Sequence, residues 1–380
     1  IQKTVEDEIA FGCENLAFSP EKISKQIDTV CRLMKLDQSW ESRKLSGGQK
    51  QRLITASTLA MGQKIVILDE PLANLDTAGA EMLMSTLKSL AKAGYCIIVI
   101  EHRLDVVLPF VDKVFHVGNK SVNEITDREN YLKEQSTEIE DTCSTFSGTL
   151  PVFSLSDVAF SVKERGILNG VTFDVLKGSR TVLLGENGCG KTTLLRLISR
   201  LEKPTCGVIK QNIDDKFGQK SKQSKKWYHK IGVVYQNPDY QLFMPTVEKE
   251  IKFGARSDEY ADEIAEKFGI KHLYARHPQS LSEGQKRRVS IAAVVATDPE
   301  VLILDEPTVG QDYKGLCEMV EVLNRIHEET HNTMITVTHD CRCAAALCDR
   351  AVWIENGTVR HAGGKEQISA FFRLDAQCKG

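Results

Sequence analysis

Gly185-Glu186-Asn187-Gly188-Cys189-Gly190-Lys191-Thr192 follows the apolar run Thr181–Leu184 and opens a helix-like segment, Thr192–Ser199. The form GxxxxGK[ST] between a strand and a helix decides the fold, because it builds a cradle for phosphate. Its glycines let successive backbone N–H groups turn inward around phosphate oxygens, and the helix start adds partial positive charge. Lys191 is placed to reach the β- and γ-phosphates of a nucleoside triphosphate, with Thr192 and Thr193 behind it. The Thr192 hydroxyl is the expected ligand of Mg²⁺.

Working outward, Val301-Leu302-Ile303-Leu304-Asp305-Glu306 is an apolar run ending in two carboxylates, 114 residues beyond Lys191. An acid at the C-terminal end of a buried parallel strand lies where such sheets bind ligands. Asp305 is therefore expected to hold Mg²⁺, and Glu306 to polarise the attacking water as general base. Strand-like runs also stand at Ile97–Ile100 and Met334–Thr338, with helix-like segments between. Strands alternating with helices predict an α/β fold, a largely parallel sheet covered on both faces.

The pattern occurs twice. Thr4–Gly12 (TVEDEIAFG) recurs as Thr246–Gly254 (TVEKEIKFG), Leu45–Arg52 (LSGGQKQR) as Leu281–Arg288 (LSEGQKRR), and Ile65–Pro71 as Val301–Pro307. Leu75-Asp76 is echoed by Gln311-Asp312, and Glu101-His102 by Thr338-His339. Leu45 precedes Asp69 by 24 residues, as Leu281 precedes Asp305. Ordered blocks at matched spacing predict two tandem domains, here 1–124 and 152–380. The polar stretch 125–151 between them reads as a linker.

Leu45-Ser46-Gly47-Gly48-Gln49 resembles the signature motif of ATP-binding cassette ATPases, and the resemblance covers nearly the whole chain. Tyr235–Gln241 followed by TVEKEIKFG is similar to the energy-coupling factor and cobalt-type importer ATPases within that family. The resemblance implies P-loop NTPase domains with a mixed sheet and a helical signature subdomain, in two copies. It implies a Q-loop glutamine at Gln236 contacting Mg²⁺ and water, a switch histidine at His339 and a D-loop aspartate at Asp312. In the first copy it implies a Walker B pair at Asp69 and Glu70, a D-loop aspartate at Asp76 and a switch histidine at His102. Two such domains pair head to tail, each ATP lying between one P-loop and the other domain's signature. One composite site would then join Gly185–Thr192, Gln236, Asp305, Glu306 and His339 to Ser46, Gly47, Gly48 and Gln49. The reciprocal signature is Ser282, Gly284 and Gln285.

Three departures stand out. Val162 occupies the position where an aromatic residue would stack on adenine, with Phe160 nearby, which leaves preference for ATP over GTP open. Glu283 replaces a signature glycine, where a carboxylate would repel a γ-phosphate unless it turned away. Gln311 replaces a D-loop leucine. The first copy carries no GxxxxGK[ST] in the residues given and begins at Ile1, so the expectation is an N-terminally shortened first domain or a degenerate first site.

Composition bounds the rest. Of 380 residues 41% are hydrophobic and 27% charged, and 49 basic against 52 acidic residues give a net charge of −3. No global basic field favours nucleic acid. Apolar runs such as Ile97–Ile100 fall far short of the roughly 20 residues that cross a bilayer. Eleven scattered cysteines predict reduced, mostly buried thiols, and the Cys341/Cys343 pair lacks a partner pair at zinc spacing. Cys189, inside the phosphate loop, reads as a small inert residue or as an oxidation-sensitive thiol.

The favoured expectation is an ATPase, using ATP and Mg²⁺, that powers an importer from the cytoplasmic face of the membrane. Its partners would be a transmembrane coupling subunit and a substrate-binding membrane component, with no nucleic acid. A tandem cassette acting on ribosome or nucleic acid stays open through the basic run Lys216, Lys220, Lys222, Lys225, Lys226 and Lys230, interleaved with Trp227 and Tyr228. A nucleotide-binding regulator with little hydrolysis stays open through Glu283 and Val162.

Overall fold

The computed structural model describes residues 2–72, 75, 77–101, 103–118, 120–135, 148–163, 165–213, 229–311 and 313–377. The chain divides into two units, Ile1–Thr137 and Glu138–Gly380. In the first, α1 (Val5–Asn15), α2 (Pro20–Met34) and α3 (Gly47–Ala60) precede β1 (Ile65–Asp69), α4 (Thr77–Lys92), β2 (Cys96–Ile100) and α5 (Leu104–Val107). The hairpin β3 (Phe115–Gly118) and β4 (Ser121–Glu124) and α6 (Arg128–Gln135) complete it. The second unit runs β5 (Pro151–Val162), β6 (Arg165–Leu176), β7 (Arg180–Leu184), α7 (Lys191–Ile198), β8 (Cys206–Gln211) and β9 (Ile231–Val234). It continues through α8 (Val247–Lys252), α9 (Asp258–Lys267), α10 (Glu283–Val295), β10 (Val301–Asp305), α11 (Tyr313–Thr330) and β11 (Thr333–Val337). Last come α12 (Cys341–Leu347), β12 (Arg350–Glu355), β13 (Thr358–Gly364) and α13 (Glu366–Gln377).

The second unit is built on a six-stranded sheet of order β13-β12-β7-β11-β10-β9, in which only the β12–β13 pair is antiparallel. Every residue of β7, β10 and β11 is buried, as continuous apolar runs in a two-sided parallel sheet require. Val301, Ile303, Ile335 and Val337 pack on one face with Leu194, Leu195 and Ile198 of α7 and with the antiparallel β6-β5-β8 sheet. Leu302, Leu304 and Met334 pack on the other with α11 and the helical group α8–α10. This is the α/β cassette fold with its signature subdomain.

The first unit repeats the second face only. β1 and β2 pair in parallel, Ile65 opposite Cys96 and Asp69 opposite Ile100, as Val301 pairs with Thr333 and Asp305 with Val337. Val66 and Leu68 are buried against the helices, but Ile65, Ile67, Ile98 and Ile100 are exposed. In the repeat these match Val301, Ile303, Ile335 and Val337, and exposed Phe115 and Val117 of β3 match buried Val352 and Ile354. Among the described residues of this unit, no strand–helix layer equivalent to β5–β8 with α7 lies over that face.

The segment 125–151 is not all linker. α6 packs back on the first unit through Arg128, whose guanidinium donates to the carbonyls of Val111 and Asp112, and through Tyr131, whose hydroxyl meets His116 Nδ1 at 2.7 Å. At the other end β5 already begins at Pro151. Among the described residues no helix is long and apolar enough to cross a membrane.

Candidate nucleotide-binding site

The sheet order explains why distant residues converge. β7, β9, β10 and β11 run parallel, so their carboxyl ends lie along one edge. From those ends emerge the loop Gly185–Gly190, Gln236, Glu306 and His339. The loop demands glycine at two positions. Gly185 has φ +150°, and a Cβ there would lie 2.3 Å from the Ile354 carbonyl oxygen. Gly190 has φ +110°, and a Cβ would lie 2.6 Å from Leu168 Cδ2. Backbone rather than side chain therefore lines the cradle. Glu186, Asn187 and Gly188 are exposed along its rim, as is Thr192, while Thr193 is half-buried.

Lys191 opens α7 and is 6% exposed; its Nζ donates to the carbonyls of Gly185 at 2.7 Å and Glu186 at 3.0 Å. The ammonium thus closes the loop on its own oxygens. Cys189 Sγ would lie 2.6 Å from a Cβ on Gly185, and burial pushes its thiol up from the usual range. That environment fits the packing role and disfavours the thiolate that oxidation needs.

Glu306 adopts a left-handed backbone, φ +51°, with its N–H on the Val337 carbonyl at 2.8 Å. Glu70 of the first unit does the same, φ +46°, with its N–H on Ile100 at 2.9 Å. Such conformations cost about 1–3 kcal/mol in non-glycine residues and gather at functional sites. The Glu306 carboxylate accepts the His339 N–H at 3.3 Å and lies 3.5 Å from His339 Nε2, which meets Asn187 Oδ1 at 3.1 Å. Loop, acid and histidine are thereby brought together. Burial, then the neighbouring Asp305 charge, raises Glu306 to about 8, opposed by Lys191, the His339 N–H and Arg287. Burial likewise raises Asp305 to about 6, against Lys191 and Arg287.

Both signatures are built alike. The Gln49 N–H donates to Ser46 Oγ at 3.3 Å while the Ser46 N–H donates to Gln49 Oε1 at 2.8 Å; Ser282 and Gln285 form the same capping box at 3.4 and 3.2 Å. The motif's serine and glutamine thus fold the start of α3 and of α10. A Cβ on Gly48 would strike Leu75 Cδ2 at 2.7 Å, and one on Gly284 the Gln311 amide at 2.9 Å. Gln311 Nε2 also donates to the Gly284 carbonyl at 3.1 Å, a bond leucine cannot make. The Glu283 side chain lies along Gly310.

The family described as ABC transporter matches residues 2–73 and 168–309. The chain belongs to this family. The putative HMP/thiamine import ATP-binding protein YkoD of Bacillus subtilis is 32% identical over 96% of this chain and 74% of its own length. The structure of cbiO1 from Clostridium perfringens, part of the ABC transporter complex cbiONQ, is 30% identical with a TM-score of 0.52, covering 60% of this chain and 94% of that one. The archaeal ribosome recycling factor aABCE1, in complex with the stalk protein aP1, shares the fold at 20% identity and TM-score 0.66, over 99% of this chain and 74% of its own. As an ABC ATP-binding protein the chain is an ATPase that binds ATP.

Not every expected position of this ABC ATPase falls within the described residues of the second unit. Asp76, His102, Asp312 and the basic run up to Tyr228 lie outside the described residues; Lys230 pairs with Glu300 at 2.9 Å. Ser46, Gly47, Gly48, Gln49 and Glu70 belong to the first unit. Val162 is exposed at the end of β5, while Phe160 packs toward the core.

Other side chains brace the backbone around the Q-loop. Gln241 accepts the Tyr235 N–H at 2.9 Å and donates to the Val233 carbonyl at 2.7 Å, stapling the Q-loop to β9. Buried Glu250 accepts the N–H groups of Phe243 and Met244 at 2.9 and 2.7 Å. Its repeat partner Glu8 accepts the Gln2 N–H at 2.5 Å. The signal for both acids was their recurrence in the TVExEI blocks.

Proposed function

We propose that this chain is the ATPase of an importer of the energy-coupling factor type, working at the cytoplasmic face of the membrane through a separate transmembrane coupling subunit. The identity to an import ATPase carries the reading, and cbiO1 supports it. So does an exposed aromatic face beside the Q-loop: Phe243 and Phe253 meet edge to face at 5.4 Å, with Tyr240 close in sequence. Phe253 is 58% exposed and its repeat partner Phe11 is 51% exposed. Large exposed rings in a pair mark a docking surface, and a coupling subunit's helix is the proposed occupant.

At the site, Gly185–Thr192 would hold the triphosphate, Lys191 exchanging the Gly185 and Glu186 carbonyls for phosphate oxygens. The desolvated Asp305 carboxylate, at the end of a buried strand beside Glu306, has the hard oxygen donors that a divalent ion takes. Thr192, Asp305 and Gln236 would hold Mg²⁺, which supplies Lewis-acid polarisation of the terminal phosphate. Glu306, held by His339, would take the proton of the attacking water, its raised basicity suiting that role near neutral pH. Ser46, Gly47, Gly48 and Gln49 of the first unit would close the site through the positive end of α3.

The test is ATPase stimulation by a purified coupling subunit in vesicles. Stimulation abolished by Phe243→Ser with Phe253→Ser, with basal turnover kept, is expected. Salt-sensitive binding to ribosomes or nucleic acid with no such stimulation would replace this reading.

A further inference from the structure

Among the described residues the largest fully buried side chain is a cation. Arg287, one turn inside α10, is 1% exposed. Its Nη1 donates to the Tyr235 carbonyl at 2.9 Å and its Nη2 to the Gln236 carbonyl, while Nε has no partner. Burial lowers its affinity for its proton, and Glu283, Glu306 and Asp305 supply the opposing negative field. Burying a guanidinium without a paired carboxylate is costly, and here it binds two backbone carbonyls of the Q-loop. The preceding residue makes a second link, Lys286 Nζ to Asp239 Oδ1 at 2.8 Å, in the turn after Gln236. In the first unit the residue matching Arg287 is Gln51.

We infer that Arg287 is a positioning residue that fastens the Q-loop backbone to the signature helix, so that movement at Ser282 is felt at Gln236. The inference deepens the proposed function, since it rests on Gln236 serving the P-loop site and on the signature serving the facing one. The two guanidinium bonds fix both carbonyls flanking the Gln236 amide, hence the direction of its side chain. Because Ser282 caps the start of α10, a shift of its first turn carries Arg287 with it, and with Arg287 the backbone of residues 235–236. The two nucleotide positions are then mechanically joined within one unit.

The test uses the full chain with Arg287→Gln, which places the first unit's own residue on the helix, and Arg287→Lys. Asp239→Ala, at an exposed position, removes the second link without opening a cavity. In Arg287→Gln, kcat is expected to fall on the order of 10- to 100-fold, as for a misplaced reacting group, with KM for ATP within about twofold. Arg287→Lys should recover part of kcat, and Asp239→Ala should shift it less in the same direction. Hydrogen exchange in the Glu306→Gln background with Mg·ATP separates the claims without turnover. Protection at Gly185–Thr192 together with faster exchange at 235–241 in Arg287→Gln is expected. Protection at the phosphate loop with unchanged exchange at 235–241, or unchanged kcat in Arg287→Gln and Asp239→Ala, overturns the inference alone. Absence of protection at the phosphate loop in the parent overturns the nucleotide-site reading beneath it.

Discussion

His339 grips Glu306 twice, its backbone N–H on Oε2 at 3.3 Å and its ring Nε2 3.5 Å from Oε1. The acid itself is 7% exposed and held in a left-handed backbone. A carboxylate fixed in two directions and removed from water is held in one geometry, at the edge where the phosphate loop ends.

Replacing that carboxylate tests its role. Glu306→Gln keeps size and hydrogen bonding but cannot take a proton, so turnover is expected to fall about 10²–10⁴-fold. ATP affinity, measured by equilibrium binding, should persist. Wild-type turnover in the variant would remove Glu306 from the role of base.

Lys191→Ala deletes the only cation bonded within the described phosphate loop. It leaves the Gly185 and Glu186 carbonyls without their present donor. ATP affinity should drop by about tenfold or more, in line with loss of a charged hydrogen bond of about 1.5–3 kcal/mol. Unchanged affinity by calorimetry would contradict the cradle assignment.

The buried acids set a pH dependence. Glu306 and Asp305 bind protons more tightly folded than unfolded, with folded values of about 8 and about 6. The folded state therefore holds extra protons between the ordinary carboxylate range and those values. Their contribution to the stability of the nucleotide-free chain is greatest below that window and falls as pH rises through it. Glu306→Gln should flatten the fall between about pH 6 and about pH 8, where 1 kcal/mol moves the midpoint of such a unit by about 2–4 °C. Parallel melting curves for variant and parent would refute this.

The two repeats answer the same substitution differently. Ile303 is 0% exposed and Ile67, its counterpart, is 62% exposed. Ile303→Ala should cost about 2–5 kcal/mol and Ile67→Ala less than about 0.5 kcal/mol, measured by urea unfolding of the full chain. Equal costs would mean that the outer face of β1 is covered in solution.

Much of this was legible in the residues. The phosphate loop, the twin acid-tipped strands and the repeated blocks specified the α/β cassette, because each carries its own local geometry. β11 ends at Val337, one residue before the expected Thr338, with the Val337 carbonyl still accepting the Glu306 N–H. α6 is not legible in the sequence: Arg128-Glu129-Asn130-Tyr131 offers no apolar stripe, and the helix is anchored by side-chain bonds to distant carbonyls and a histidine. The burial of Arg287 is not legible in the sequence, because nothing local to the signature marks it and only the packed Q-loop buries it. The shared left-handed backbone of Glu70 and Glu306 depends on the neighbouring strand's carbonyl, which periodicity cannot reveal.

The proposed pairing of the phosphate loop with the first unit's signature is tested most directly by trapping the full chain with Mg·ADP and vanadate and irradiating it, since bound vanadate cuts the backbone it touches. Cuts within both Gly185–Thr192 and Ser46–Gln49, each lost in Lys191→Ala, are the expected result. Cleavage confined to the phosphate loop would contradict closure of that site by the first unit's signature.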